Sequence, residues 1–596
     1  MNDTAMPIQR ATYEIELNNE KEFKYYDRLH SEKYRDENQT FQEHAEQLAN
    51  NLASSSGHKE DILSAILAYR FLPAGRIQAA LGATEREVSP FNCSVSQTID
   101  DSMTSIMSAL SNAAKILRLG TGIGYNFSNL RPKDAEIVKL KTKSSGPLSF
   151  MKIFDVMAST VASAGHRRGA QMGIMNIDHP DIEAFIDAKM EKDAYRQFNF
   201  SVGITDAFMK AVKENSDWNL QFKGKIYKTL RAKDLWDKMV RNAYNSAEPG
   251  VLFTDRWNQK NNLWYCETIS ACNPCSEQCL PPYGLCTLGS FNLVAYLRQG
   301  QRGLEFNYDL LTSDIKTFVE AYDNVFEDAN YAIPEHREEA LNKRRIGLGY
   351  TGIANAIELV LGKACYGSDE FCKVLHKLCA ILTYTAYEAS SDLAFKRGPF
   401  KLFDRDSYLD SEFIKTLPSY IKVKIGLNGI RNSHLISYAP CGTISQTAWN
   451  VSSGVEPIFY HSVSRDVFMK DGKEKVTLND FAYRHHGFKG KTLDECSVDD
   501  HMNVAETIQR YTDSAISKTV NVAANCSYSD YEQIYFKAYE MGLKGITVFR
   551  PTELRGAVIV KAEPTEKLEQ ESLPFFNEDV VSSDGYGSCA NGICTM

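Results

Sequence analysis

The sequence has no uninterrupted apolar stretch approaching the roughly 18 residues of a membrane span, so none is expected. Its opening, M-N-D-T-A-M-P-I-Q-R, carries no apolar run, so no signal peptide is expected. Positive charge is not in excess: 67 Lys and Arg stand against 76 Asp and Glu, a net charge of −9. That argues against a nucleic-acid polymer as partner, which needs a basic face. Small anionic ligands stay open, because backbone amides and a few arginines can hold them. Cysteine is plentiful, at 14 residues, but the spacing of a metal knot is missing. Cys272, Cys275, Cys279 and Cys286 leave gaps of two, three and six residues, with no second close pair as in a zinc site. No metal ligand set is expected. With no secretion signal, many cysteines point to a reducing, cytoplasmic setting in which thiols are free or catalytic rather than structural disulfides. A dinucleotide fingerprint is also lacking: Gly120-Thr121-Gly122-Ile123-Gly124 follows a helical pattern instead of a strand.

What is present is a 596-residue chain, 43% hydrophobic and 24% charged, enough for a large buried core. Residues 1–85 read as a polar helical layer that ends at the break Phe71-Leu72-Pro73-Ala74-Gly75-Arg76. Phe91-Asn92-Cys93-Ser94-Val95 puts a cysteine in a short apolar run, which by itself suits a core position. Residues 101–119 read as an amphipathic helix. Ala164-Gly165-His166-Arg167-Arg168-Gly169-Ala170-Gln171 is a basic, amide-bearing loop that suits either a nucleotide or solvent. Beyond 292, helical patterns alternate with short apolar runs, the pattern of an α/β domain with a largely parallel sheet. One such run, His434–Ala439, enters Pro440-Cys441-Gly442-Thr443-Ile444, a turn able to offer backbone N–H groups to a phosphate. From about 556 periodicity is lost, as in a disordered tail, yet the tail carries Cys589 and Cys594. A tethered dithiol suits exchange with a disulfide elsewhere.

The densest chemistry lies at C-N-P-C-S-E-Q-C. Asn273, Cys275 and Glu277 alternate, so in an extended segment an amide, a sulfur and a carboxylate would point to one side.

These motifs, with R-R-I-G-L-G, G-I-R-N-S, P-C-G-T-I-S-Q, S-G-V-E-P, I-S-K-T-V-N and G-L-C-T-L-G-S-F-N-L in one order, resemble the catalytic subunit of ribonucleotide reductases from about residue 70 to 555. The resemblance implies a ten-stranded α/β barrel over 86–555, two five-stranded parallel halves around a central finger loop. It implies a thiyl radical at Cys275, a general base at Glu277 and hydroxyl orientation by Asn273. It makes Cys93 and Cys286 a redox pair, recharged by Cys589 and Cys594 and then by a thioredoxin- or glutaredoxin-like reductant. Substrate, a ribonucleoside di- or triphosphate, would meet Asn92, Ser94 and Pro440, Cys441, Gly442, Thr443 and Ile444. A deoxynucleotide or ATP effector would meet Arg167, Arg168, Gly169, Ala170 and Gln171, and a homodimer is expected. No ATP-cone is expected in residues 1–85.

Oxygen-dependent members bring the radical in through two adjacent tyrosines after a G-L-K segment. Here that segment reads Gly542-Leu543-Lys544-Gly545-Ile546-Thr547-Val548-Phe549-Arg550, without a phenol. The run is similar to that of the adenosylcobalamin-dependent class, so adenosylcobalamin is the expected cofactor. The alternatives are a separate metal-bearing radical subunit with another relay, or a non-enzymatic nucleotide-binding relative. Cys441 stands where the cobalamin class usually has threonine.

Overall fold

Three helices open the structure, a computed structural model that describes residues 20–161, 170–191, 194–469, 472–552 and 560–561. They are Glu20–Tyr34, Phe41–Leu52 and Ser56–Leu67. The second begins at a capping box: Thr40 accepts from Glu43 N, and the Glu43 carboxylate accepts from Thr40 N. Its Ala45, Leu48, Ala49 and Leu52 form the buried stripe. This layer does not end as a separate unit. Phe71–Pro73 is a strand pairing antiparallel with Leu288–Asn292, Phe71 opposite Phe291.

Two sheets form the body. Cys93–Val95, Gly122–Asn126, Gln171–Asn176, Phe198–Ile204 and Gly250–Phe253 run parallel, each paired to the next. Gly250–Phe253 then pairs antiparallel with Gly545–Phe549, which pairs parallel with Thr519–Asn521. The second sheet joins Phe71–Pro73, Leu288–Asn292 and Gly347–Thr351, the last two parallel. Single bridges link Leu348 to Ile436, Tyr438 to Ile516 and Ser94 to Leu285. Phe198–Ile204 is buried at every position although its sequence F-N-F-S-V-G-I alternates, so Asn199 and Ser201 are buried along with the apolar residues. Met103–Arg118, Pro147–Thr160 and Ala232–Ser246 are among the helices that connect strands.

Several quoted motifs hold the frame together. Arg344 and Arg431 both bond the Asp323 carboxylate, and Asn432 donates to it at 3.2 Å. Arg345 lies 2.7 Å from Glu267 and 2.9 Å from Glu339. Burial alone would raise the Glu267 carboxyl, but Arg345 and Lys343 hold it below its ordinary value. Glu456 of S-G-V-E-P pairs with Lys518 of I-S-K-T-V-N. Breaking such buried pairs on one side leaves an uncompensated charge.

One expectation needs correction. Val560–Lys561 pairs with the strand Ser462–Met469, although the loss of periodicity predicts no structure from 556. The β-branched run Val558-Ile559-Val560 favours a strand locally despite its polar surroundings.

Candidate active site

The segment carrying Cys275 is a tight hairpin, not the extended segment expected. Ala271–Cys272 pairs antiparallel with Cys279–Leu280, and residues 273–278 form the turn. Asn273 builds it twice over: its carbonyl accepts from Ser276 N at 3.0 Å, and its Oδ1 accepts from Gln278 N at 3.0 Å. Asparagine suits such a turn because its side chain mimics a backbone acceptor. Ser276 takes a left-handed conformation, φ 66°, which closes the chain on itself. Asn273, Cys275 and Glu277 thus share one turn by folding back, not by strand alternation. All three are buried.

Neighbouring strands make room for the hairpin. A Cβ on Gly124 would lie 1.9 Å from the Cys272 carbonyl oxygen, so the hairpin crosses this strand where a side chain is absent. Asn199 donates to Pro274 O at 3.0 Å. Ala515 N donates to Glu277 O at 2.9 Å, and Ser437 Oγ donates to the same oxygen at 3.0 Å. Lys544 anchors residues 513–515, donating to Asp513 O at 2.6 Å and Ser514 O at 2.5 Å. Burial lowers the Lys544 amine to about 8.

Both carboxylate oxygens of Glu277 are buried without a hydrogen bond of normal geometry, as is Asn273 Nδ2. Burial pushes the Glu277 carboxyl up to about 7, and the nearby Asn273 amide draws it down a little. Gln278, next in the turn, also has both amide atoms buried and unpartnered. Buried polar atoms of this kind are commonly met by ordered water or by a polar ligand.

Cys93 and Cys286 are side by side. Cys93 N donates to Cys286 Sγ at 3.0 Å, and Cys286 N donates to Cys93 O at 3.0 Å. Both are reduced, with no disulfide between them. Burial, reinforced by the neighbouring Cys93 thiol, holds the Cys286 thiol well above its ordinary value. The pair packs with Ala74, Leu288 and Ala439. Those three side chains also line a small cleft, together with Asn92, Pro440 and Cys441. The Cys441 thiol lies 3.2 Å from Ser290 Oγ. Gly442–Thr447 begins a short helix at this cleft.

Not every expected residue lies there. Ser94 is fully buried and donates to Gly122 O at 3.3 Å, bonding the adjacent strand instead of the cleft. Gly442 faces a second cleft beyond the helix, while Thr443 stands in the helix's first turn. Gln171 is a correction: it begins a buried strand, accepts from Tyr125 OH at 2.8 Å and donates to Phe154 O at 3.3 Å. The glycines before Q-M-G-I-M-N mask the strand start, which is why the sequence reads as loop up to this residue. Ala170 accepts from Ile123 N through its carbonyl. Arg167, Arg168, Gly169, Cys589 and Cys594 lie outside the described residues. Sequence reasoning passed over Gln278, Ser290 and Asn199, each of which needs a long-range contact to be noticed.

The fold is a mixed α/β body in which a short hairpin carries Cys275 inward beside the Asn273 amide and the Glu277 carboxylate. The family model "Ribonucleotide reductase, barrel domain" matches residues 91–549. The chain is 33% identical over 526 residues to a vitamin B12-dependent ribonucleoside-diphosphate reductase of Mycobacterium tuberculosis, covering 83% of this chain and 71% of that one. It is 33% identical over 486 residues to a protein of the same name from Thermoplasma acidophilum, covering 76% and 60% respectively. It is 25% identical over 564 residues to the ribonucleoside-diphosphate reductase large subunit of variola virus, covering 82% and 72%. The chain belongs to the ribonucleotide reductase family.

Proposed function

We propose that this chain reduces ribonucleotides to 2′-deoxyribonucleotides by thiyl-radical chemistry, with adenosylcobalamin as the radical source. The observation that carries the reading is the turn 273–278, with its unpaired buried amide and carboxylate around Cys275, set against the thiol pair Cys93 and Cys286. As a thiyl radical, Cys275 removes the 3′ hydrogen atom of the ribose. Glu277 takes the 3′-hydroxyl proton, and Asn273 holds the sugar hydroxyls in place. The 2′-hydroxyl leaves as water. Cys93 and Cys286 supply two hydrogen atoms in total and close to a disulfide. Cys275 then returns the first hydrogen to the 3′ carbon. Cys589 and Cys594 reopen the disulfide by exchange, and a thioredoxin- or glutaredoxin-like protein recharges them.

The residues around Cys275 fit a radical source brought to the sulfur from outside the chain. The run Gly542–Arg550 has no phenol, Val548 and Phe549 are buried, and Cys275 at the turn keeps 7% of its surface exposed. Bound adenosylcobalamin would supply an organic radical, and Cys275 in the turn is the residue that would receive it. The names of the mycobacterial and Thermoplasma relatives favour both this cofactor and a diphosphate substrate.

The phosphates would lie in the cleft beside Asn92, Pro440, Cys441 and Ile444, with Gly442 and Thr443 at the helix start behind them. We read the two sheets as one ten-stranded barrel of two parallel halves. The bridges Leu348–Ile436, Tyr438–Ile516 and Ser94–Leu285 support this, since they lie between the sheet edges. Residues 86–555 would carry most of this barrel, with the strand Phe71–Pro73 joined to its second sheet, after a helical region and before a redox tail. A homodimer would use the adjoining helices Met103–Arg118 and Pro147–Thr160. Met103, Met107, Ile153 and Val156 stand exposed on them. A deoxynucleotide or ATP effector would bind near, through Arg167, Arg168, Gly169 and Ala170. None of the helices among the described residues is long and apolar enough to cross a membrane. Thiol recycling suits the cytoplasm.

The test is deoxynucleotide formation by the purified chain with a dithiol reductant, with and without adenosylcobalamin, on diphosphates and triphosphates. Product is expected when the cofactor is present. Equal product without it would point to a separate radical subunit, and nucleotide binding without any product would reject the enzyme reading.

A further inference from the structure

Two cysteines of the hairpin take no part in the chemistry above. Cys272 and Cys279 are direct partners across it. Asn273 N donates to Gln278 O at 3.0 Å, one residue beyond each cysteine. That is the bonding pattern around a non-hydrogen-bonded antiparallel pair, whose Cα atoms lie about 4.5 Å apart with side chains on one face. A disulfide needs Cα atoms about 4.4–6.8 Å apart. The two thiols are therefore placed to close a bridge without moving the strands. Both are reduced and buried, and they share an apolar cluster with Val95, Met172 and Leu280.

The hairpin neck also lies beside the proposed redox pair. Cys93 pairs with Gly122, and Val95 with Gly124. A Cβ on Gly122 would lie 3.4 Å from Cys93 Sγ and 3.3 Å from Pro274 Cγ, while a Cβ on Gly124 would meet the Cys272 carbonyl. Gly122 and Gly124 face the same side of their strand. Cys93 and the hairpin neck consequently share that side, one step apart along it. Burial first, then the nearby Cys279, with smaller effects of Glu277 and Cys93, pushes the Cys272 thiol well above its ordinary value, which agrees with this placement.

We propose that Cys272 and Cys279 form a second redox pair, which closes to a cross-strand disulfide by exchange with a Cys93–Cys286 disulfide. The inference rests on the proposed function for the origin of that first disulfide. The Cys272 thiol attacks Cys93 Sγ, its proton passing to the Cys286 sulfur as that sulfur leaves. The Cys279 thiol then attacks Cys272 Sγ, its proton passing to the Cys93 sulfur as that sulfur leaves. One disulfide is consumed and one formed, with two protons passing from the hairpin pair to the first pair. The chain would so hold a second pair of electrons at the site, independent of the tail.

The test uses the full chain with Cys589→Ser and Cys594→Ser, fully reduced and freed of reductant. One arm gives it adenosylcobalamin and substrate, the other diamide as a thiol oxidant. Disulfides are trapped by alkylation in denaturant and mapped by mass spectrometry. Product is expected to reach about two equivalents per chain, and about one when Cys279→Ser is added, since each disulfide accounts for one two-electron reduction. Bridged Cys272–Cys279 is expected in both arms. Product at one equivalent with Cys272 and Cys279 still alkylated would overturn the inference, as would failure of diamide to bridge them. Bridging by diamide in a chain that makes no product would uphold the dithiol and remove the proposed function instead. Mapping on the hairpin with both cysteines present does not depend on how well the Cys279→Ser variant folds.

Discussion

Replacing Glu277 by glutamine should stabilise the chain while removing its activity. The carboxyl is fully buried and is raised from 4.5 to about 7. An acid whose folded value is raised binds its proton more tightly in the folded state. Stability therefore falls as pH rises from the unfolded value toward the folded one, and levels off above it. Between pH 5 and pH 8 the loss works out at about 2–3 kcal/mol, since each tenfold difference in proton affinity between the two states is worth a little over 1 kcal/mol. Glutamine does not titrate and carries no such loss. An unfolding entropy of about 2.1 cal/mol/K per residue, taken over 596 residues, makes 1 kcal/mol worth about 0.8 °C in Tm. The Tm advantage of Glu277→Gln over the parent should thus grow by about 2 °C from pH 5 to pH 8, read by calorimetry at fixed ionic strength. Over the same range the parent's turnover should rise through about pH 7 as the base ionises, while the variant's stays lower by about 10²–10⁴-fold. A Tm difference that does not change with pH would refute the claim that the carboxyl is held buried and unpaired.

Cys275→Ala should abolish product yet retain nucleotide binding, measured by equilibrium dialysis; surviving turnover would remove the radical assignment. Cys93→Ser removes one of the two thiols that supply the hydrogen atoms, so product should fall well below one equivalent per chain even with excess dithiol; a full equivalent would remove the redox-pair assignment. Gly124→Ala drives a Cβ into the Cys272 carbonyl, so the hairpin must shift; a loss of about 1–3 kcal/mol and of most activity is expected, by denaturant titration and product assay. Tyr531 and Tyr535 hold their hydroxyls 3.4 Å apart, and Tyr531 also donates to Val548 O. With adenosylcobalamin as radical source, Tyr531→Phe with Tyr535→Phe should keep the rate within a few-fold, and its complete loss would argue for a phenol relay.

Local patterns made the reactive residues legible and left their geometry out of reach. N-P-C-S-E singled out an amide, a sulfur and a carboxylate that do share one buried turn, but alternation is a property of strands, and Asn273 and Ser276 instead close a turn. Cys93 and Cys286 are 193 residues apart in the chain, and no periodicity could join them; the motifs did so through resemblance alone. The misread strand start at Gln171 has the same origin. Glycine before an apolar run marks a loop locally, while here the partner strands Gly122–Asn126 and Phe198–Ile204 decide that the run begins at once. Polar residues were harder still. Gln278 and Asn199 look like surface residues by type, and their burial beside the turn follows from strands far away in sequence.

The glycines show why the frame and the chemistry must be considered together. Gly124 lets the hairpin cross one strand; Gly349 lets Ser437 O approach another, where a Cβ would be 2.7 Å away. Ser437 in turn bonds Glu277 O, and Ala515 bonds it from the next segment, which Lys544 secures. Glu277 is therefore fixed through its backbone by two distant pieces of chain, the second of them secured by Lys544, while its carboxylate has no hydrogen-bond partner of normal geometry. This division leaves the oxygens available to a proton donor at the cost of stability above neutral pH.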